Sequence, residues 1–344
     1  MTDLLPQMAA QIRTAKADNA PLYIAGGDSK RDQVGRACST EHILNVSAHS
    51  GISDYQPQEL VISARAGTPL IELEAALAEQ GQMLPFEPPR YAGRATLGGT
   101  LACNLSGPGR PWLGSIRDSV LGVQLINGGG QTLNFGGKVM KNVAGYDVAR
   151  LQAGAMGTLG VITEVNLKVL PIPEATTTLA RETSPEEALE LMTRYARQPK
   201  PLTGACWIAG KLYLRLAGAA SAVTRTANTW GGESADDSIW TQLQDMTHPF
   251  FTTSTELWRL ATASNSPCPD TVDQCIDWGG SQRWLRSAPE HIPSGAHLSL
   301  FSGGNRETEV RGQLDQVQQT LQLRLKKAFD PSGILNPGRL YSWM

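Results

Sequence analysis

The segment Gly26-Gly27-Asp28-Ser29-Lys30 follows the apolar run PLYIA and gathers small-residue main chain, a hydroxyl and a cation within five residues. Successive N–H groups in such a turn form an anion-binding concavity, to which Ser29 adds a donor and Lys30 a positive charge. The segment reads equally well as an ordinary hairpin turn. Further on, between Ala95 and Pro171, lie two glycine-dense clusters, ATLGGTLACNLSGPGRPWLGSIRDSVLG and KNVAGYDVARLQAGAMGTLGVITEVNLKVLP. Each glycine gives up roughly 0.5 to 1 kcal/mol of backbone entropy relative to alanine. A density this high therefore needs a reason, and the reason expected is a large flat ligand pressed against main chain.

Gly154, Gly157 and Gly160 invite a nicotinamide-dinucleotide reading, which context removes. That fingerprint is GxGxxG between a strand and a helix. Here the spacing is GxxGxxG, and the β-branched, alternating LGVITEVNLKVL that follows predicts a strand.

The elements that must position these residues are legible in outline. Leu4, Leu5, Met8, Ile12 and Ala15 share one face at helical spacing, so the chain is expected to open with an amphipathic helix rather than a leader peptide. ELVISARAGTPLIELEAALAEQG predicts a strand, a turn with Thr68 as N-cap and Pro69 at the first helical position, and a helix buried through Leu70, Leu73 and Leu77. From Ala175 the texture changes. Ser184, Pro185 and Glu187 open a helix through about Gln198, GACWIA and KLYLRL form a hairpin about Gly210-Lys211, and a helix runs toward Trp230. Strands are expected near Leu257–Ala261 and Cys275–Trp278, and the tryptophans of this half are assigned to core. A last helix carries Val310, Leu314, Val317, Leu321 and Leu325 on one face and stops at Asp330-Pro331. The tail DPSGILNPGRL then turns back toward the first domain.

Composition bounds the partners. The chain has 344 residues, suiting two domains. Its net charge of −2, with both signs interspersed, offers no field for nucleic acid or an anionic membrane surface. No stretch approaches the ~18 apolar residues of a membrane span, and a cytoplasmic location is expected, with membrane association only through a partner. The five cysteines, Cys38, Cys103, Cys206, Cys268 and Cys275, include no CxxC pair and fit reduced thiols, buried or incidental. An iron–sulfur centre, if the pathway has one, belongs to another chain.

Taken in order, GGDSK, ARAGTPLIELEAAL, ATLGGTLACNLSG, GSIRD, KNVAGYDVARL, GAMGTLGVITEVNLKVLP and DPSGILNPGRL resemble the FAD-binding domain of the vanillyl-alcohol-oxidase, or PCMH-type, flavoproteins, and more closely the smaller FAD-binding subunits of bacterial glycolate oxidases. The likeness is dense from Gly26 to Pro171 and thins between Ala175 and Arg306. It implies an α+β fold: a two-subdomain PCMH-type FAD-binding domain over residues 1–173, a smaller α+β cap domain over 174–306, and a terminal helix and tail over 307–344 returning to the FAD domain. It also implies that Gly26, Gly27, Asp28, Ser29 and Lys30 take the pyrophosphate. Thr96, Gly98, Gly99, Ala102, Ser106 and Gly107 would pass along the cofactor, where missing Cβ atoms permit close approach, and Ser115 and Asp118 would form the next flavin-site turn. Gly145, Tyr146, Asp147, Gly157, Gly160, Val161 and Ile162 would line the adenosine half, and Asn336 and Arg339 would return to the flavin edge. Tyr146 and Asp147 have an equal claim to a structural role, Asp147 as a helix N-cap. With no His or Cys in the glycine turn, the FAD is expected to be noncovalent.

Oxidising a 2-hydroxy acid requires a base for the hydroxyl proton, a cation for the carboxylate and an aimed C–H. His291, His297 and Arg259 are the candidates, with Arg283, Arg286 and Arg306 behind them. No metal-binding histidine pattern accompanies them, and a lone histidine is more often structural. The resemblance therefore implies an FAD subunit of a multi-subunit glycolate dehydrogenase, partnered by a larger flavin subunit and an iron–sulfur subunit. A self-sufficient 2-hydroxy-acid or alcohol oxidoreductase and a flavin-stabilised assembly scaffold remain the alternatives.

Overall fold

The structure, a computed structural model, describes residues 3–38, 40–138, 147–268 and 273–344. Its first half contains the strands β1 (Tyr23–Ala25), β2 (Ile43–Asn45), β3 (Ile52–Gln56), β4 (Val61–Arg65), β5 (Gln82–Met83), β6 (Val120–Ile126), β7 (Thr132–Gly136), β8 (Val161–Lys168) and β9 (Leu170–Pro171). β1 and β2 pair in parallel, whereas β3, β4, β8, β6 and β7 form an antiparallel sheet in that order. Alternation sets the register, since Val161, Thr163, Val165 and Leu167 of β8 are all buried and Val165 sits opposite Val123 of β6. The strand after Gly160 is the one predicted, so the dinucleotide fingerprint stays excluded.

Two helices cover this half. Leu5–Ala17 buries Met8, Ala9, Ile12 and Ala15, and Leu70–Ala78 buries Leu70, Leu73 and Leu77, each at the spacing that the sequence shows. Thr68 does not cap the second helix. Its hydroxyl instead accepts from the Gly51 N–H at 2.9 Å and faces the Gly51 carbonyl at 3.2 Å, fastening the turn to the loop before β3.

The second half adds β10 (Ala175–Glu182), β11 (Leu202–Ile208), β12 (Lys211–Gly218), β13 (Glu233–Ala235), β14 (Glu256–Ala261), β15 (Gln274–Asp277), β16 (Gln282–Leu285) and β17 (His297–Gly303), one eight-stranded sheet ordered β13-β10-β12-β11-β15-β16-β14-β17. The helices Pro185–Ala196 and Ala220–Trp230 flank it, the first capped by Ser184 accepting from Glu187 N–H at 3.2 Å. The β11–β12 turn is Ala209-Gly210, both with positive φ, one residue earlier than expected, because Ile208 pairs with Lys211. Mixed helices and strands make the fold α+β.

Three apolar clusters hold these layers. One fills the first half, another lies under Pro185–Ala196, and a third joins the halves through Val34, Leu105, Met156, Trp240, Trp284, Phe301 and Leu340. The last helix, Gln316–Phe329, departs from the expected packing. It starts only after Asp315, its N-cap, so Val310 and Leu314 are not on it, and Val317 and Leu321 are 69% and 53% exposed. Beyond it, Leu335 bridges Leu22 beside β1. No helix among the described residues is long and apolar enough to cross a membrane.

Candidate cofactor-binding site

A cleft of about 740 Å³, counting space open to solvent, runs along the first half. Its walls include Gly26, Gly27, Asp28, Ser29 and Lys30 after β1, Thr96, Gly98, Gly99 and Ala102 along the helix Leu97–Cys103, Gly157, Gly160 and Ile162 leading into β8, and Asn336 and Arg339 of the tail. The structure thus brings together residues more than 300 positions apart in the chain, as the Ile24–Asn336 hydrogen bond shows. Tyr23, Ala66, Cys103 and Met156 also line the cleft. Sequence reading missed them, although Tyr23 stands five residues before Asp28 and donates its hydroxyl to that carboxylate at 2.6 Å.

The glycines have a different first cause from the one expected. A Cβ on Gly27 would fall 1.7 Å from the Arg94 carbonyl oxygen, one on Gly26 2.6 Å from Thr96 Oγ1, and one on Gly98 2.6 Å from Ala66 Cβ. The protein itself occupies the space that a side chain would need. Absent Cβ atoms let three segments of main chain close on one another, and the resulting surface lines the cleft.

Charge in the cleft is unbalanced. Lys30 is 7% exposed, and among the described residues its ammonium meets Ser29 Oγ at 3.1 Å and the Tyr91 ring at 4.9 Å. Burial pushes its pKa below the usual lysine range. Among the described residues no carboxylate pairs with it, and a buried cation without a counter-charge is costly. Arg339 is spent differently: its guanidinium donates to the carbonyls of Lys30 at 2.8 Å, Gln33 at 3.2 Å and Arg36, clasping the glycine turn from behind. Asn336 donates Nδ2 to the Met156 carbonyl at 2.6 Å and accepts from Ile24 N–H at 2.7 Å.

The remaining predicted residues lie elsewhere. Ser115 and Asp118 satisfy each other at the start of a short helix, the Ser115 N–H and hydroxyl both donating to Asp118 Oδ2, and these bonds hold the Asp118 carboxyl below its ordinary value. Asp147 caps Val148–Leu151 by accepting from Arg150 N–H and pairs with the Arg150 side chain at 3.4 Å. Val161 is fully buried in the sheet. Gly145 and Tyr146 fall outside the described residues. His291 and His297 are exposed and line no cavity described here.

Ser106 and Gly107 sit with Arg259 on a second, narrow cavity of about 390 Å³, counting space open to solvent, whose wall continues from the cleft through the segment 102–107. Asp277, Trp278 and Gln282 complete its polar side. Sequence reading missed all three.

Fold and cleft define an FAD-binding flavoprotein of the PCMH type, and the comparisons agree. A family model described as an FAD binding domain matches residues 5–136. Alkyldihydroxyacetonephosphate synthase superposes with a TM-score of 0.67 over 97% of this chain and 76% of its own, at 15% identity, a likeness of fold. Glycolate oxidase subunit GlcE of Escherichia coli (strain K12) is 44% identical across 99% of this chain and 98% of its own length. Glycolate oxidase subunit GlcD of Bacillus subtilis (strain 168) is 32% identical over 42% of this chain and 31% of its own. The chain belongs to the family of glycolate oxidase subunit GlcE, and its cofactor is FAD.

The residues present fit that group. A dinucleotide carries a diphosphate, which answers the unpaired Lys30, and flat rings, which answer walls of bare main chain.

Proposed function

We propose that this chain is the FAD-carrying subunit of a multi-subunit glycolate oxidase, taking part in the oxidation of glycolate to glyoxylate with a larger flavin subunit and an iron–sulfur subunit. The observation that carries this reading is end-to-end similarity to a glycolate oxidase subunit, 44% over 99% of the chain. Bound FAD supplies the two-electron acceptor. The chain's own part is to hold it noncovalently. Amides of the Gly26–Lys30 turn and the Lys30 ammonium take the diphosphate, Thr96 to Ala102 and Gly157 to Ile162 wall the rings, and Arg339 and Asn336 fix the turn and the Met156 loop in place. Any association with a membrane comes through the partners.

Co-expression with candidate flavin and iron–sulfur subunits tests this. A stoichiometric complex is expected, with glycolate-dependent reduction of an artificial acceptor that falls in step with the flavin content of this chain when Lys30→Met weakens its hold on FAD and FAD is kept limiting, while assembly persists. Full turnover of a complex in which this chain is measured to lack flavin would overturn it.

A further inference from the structure

The second cavity has a polarity of its own. Arg259, on β14, donates Nε to Gln282 Oε1 at 2.6 Å, and its guanidinium lies against the indoles of Trp278 at 5.0 Å and Trp284 at 6.0 Å. Its two terminal nitrogens meet no acceptor among the described residues, and no carboxylate pairs with it. Removal from water holds this guanidinium down to about 10.

Across the cavity Asp277 is 4% exposed, its Oδ1 accepting from Trp278 N–H at 2.7 Å and its Oδ2 from Gln282 Nε2 at 3.4 Å. Gln282 thus bridges the two charges, its carbonyl toward the cation and its amide nitrogen toward the anion. Ser106 Oγ is buried on the same wall with no partner among the described residues, and a polar atom left so is expensive unless something fills the site. The backbone is strained here too, for Trp278 has φ of +54°, a conformation unfavourable for a bulky residue. The indole Nε1 donates to Gly107 O at 2.9 Å, fastening the cavity to the segment that walls the cofactor cleft.

We propose that this cavity binds the carboxylate of a small 2-hydroxy acid, Arg259 taking the carboxylate, Asp277 accepting the α-hydroxyl hydrogen and Ser106 closing the polar wall. Trp284, Phe301 and Leu243 line the same cavity and give it apolar carbon beside these polar groups. A neutral alcohol would leave the guanidinium without a counter-charge, and a dicarboxylate would set its second anion against Asp277. The choice of glycolate as the acid rests on the function proposed above, whereas the site itself does not. This chain would then bind substrate beside its own FAD, with Asp277 rather than His291 or His297 at the hydroxyl.

Calorimetry and tryptophan fluorescence on the FAD-loaded single chain, without an electron acceptor, test the site with glycolate, acetate and ethylene glycol as probes. Saturable one-site binding of glycolate is expected, with weaker acetate binding and none of ethylene glycol. Arg259→Gln should weaken glycolate about tenfold or more. Asp277→Asn should weaken glycolate but leave acetate unchanged, a split that mere loss of structure would not produce. Ser106→Leu fills the cavity without touching a charge and should abolish binding of both acids at full flavin content. Failure of wild type to saturate with glycolate, or unchanged binding in Ser106→Leu, would overturn the site. Failure of the subunit reading would appear separately, as no assembly with the other chains.

Discussion

Asn336 and Gly157 fit together with no space between them: a Cβ on Gly157 would lie 2.8 Å from Asn336 Nδ2. The amide is held there by the Met156 carbonyl and the Ile24 N–H, so one tail residue locks two walls of the cofactor cleft. Asn336→Ala strands two buried backbone groups and should cost about 1–3 kcal/mol. Gly157→Ala adds both a clash and a positive φ of 73°. The double variant should be less unstable than the sum, because removing the amide relieves the clash. Denaturant titration of the four proteins measures the coupling, and strict additivity would show that the two residues do not act on each other.

Lys30 should trade stability for affinity. Lys30→Met removes a buried, unpaired cation, so the apo protein should melt no lower than wild type. FAD affinity should fall by about tenfold to a hundredfold, the worth of one charge-assisted contact. Flavin titration and apo-protein melting together decide the matter, since loss of both affinity and apo stability would make Lys30 a structural residue.

Lys326 and Asp330 form a buried pair at 2.8 Å, and the same ammonium also donates to the carbonyls of Thr158 at 2.9 Å and Leu335 at 2.6 Å. Removing either partner leaves an uncompensated charge and should cost about 3–5 kcal/mol. Lys326→Met combined with Asp330→Leu should be milder than either single change. Equal loss in the double variant would mean that the hydrogen bonds to Thr158 and Leu335, not the charge pairing, dominate.

Asp277 sets a pH dependence. Burial is the main cause raising its carboxyl from 3.8 to about 7. A raised folded-state value favours the protonated form, so its contribution is fully present below about pH 4 and is lost as pH rises toward 7, by at most about 4 kcal/mol. Asp277→Asn should therefore flatten the fall in Tm between pH 5 and pH 8. Parallel profiles for the two proteins would place the Asp277 value near that of a solvated carboxyl.

The flavin should leave the protein on acid precipitation. The glycine turn has no His or Cys, but Cys103 lines the same cleft, so the experiment has a specific failure mode. Colour that stays with the wild-type pellet and is released from Cys103→Ser would establish a covalent link and locate it.

What the sequence showed was local. The glycine turn, the strand after Gly160 and the buried faces of Leu5–Ala17 and Leu70–Ala78 follow from neighbours within a few residues, and each is where the pattern puts it. Thr68 was misread because a hydroxyl at a helix start has two backbone partners within reach, and the one on Gly51 is visible only in three dimensions. Val317 and Leu321 were misread because helical spacing reveals a shared face without revealing whether anything covers it. The Arg259–Gln282–Asp277 array was illegible for a related reason. Asp277 pairs with Gln282 across β15 and β16, and Arg259 arrives from β14, so sheet register alone assembles it.

The clasp of Arg339 on the Lys30 carbonyl spans 309 positions of sequence. The turn proposed to receive the diphosphate is synthesised well before the side chain that sets its shape. A nascent chain that has not reached Arg339 therefore cannot present a finished cleft, and cofactor loading becomes an event that follows the synthesis of that residue. Flavin incorporation then reports that translation has passed Arg339, and a polypeptide interrupted before that residue should emerge colourless however well its sheets have formed.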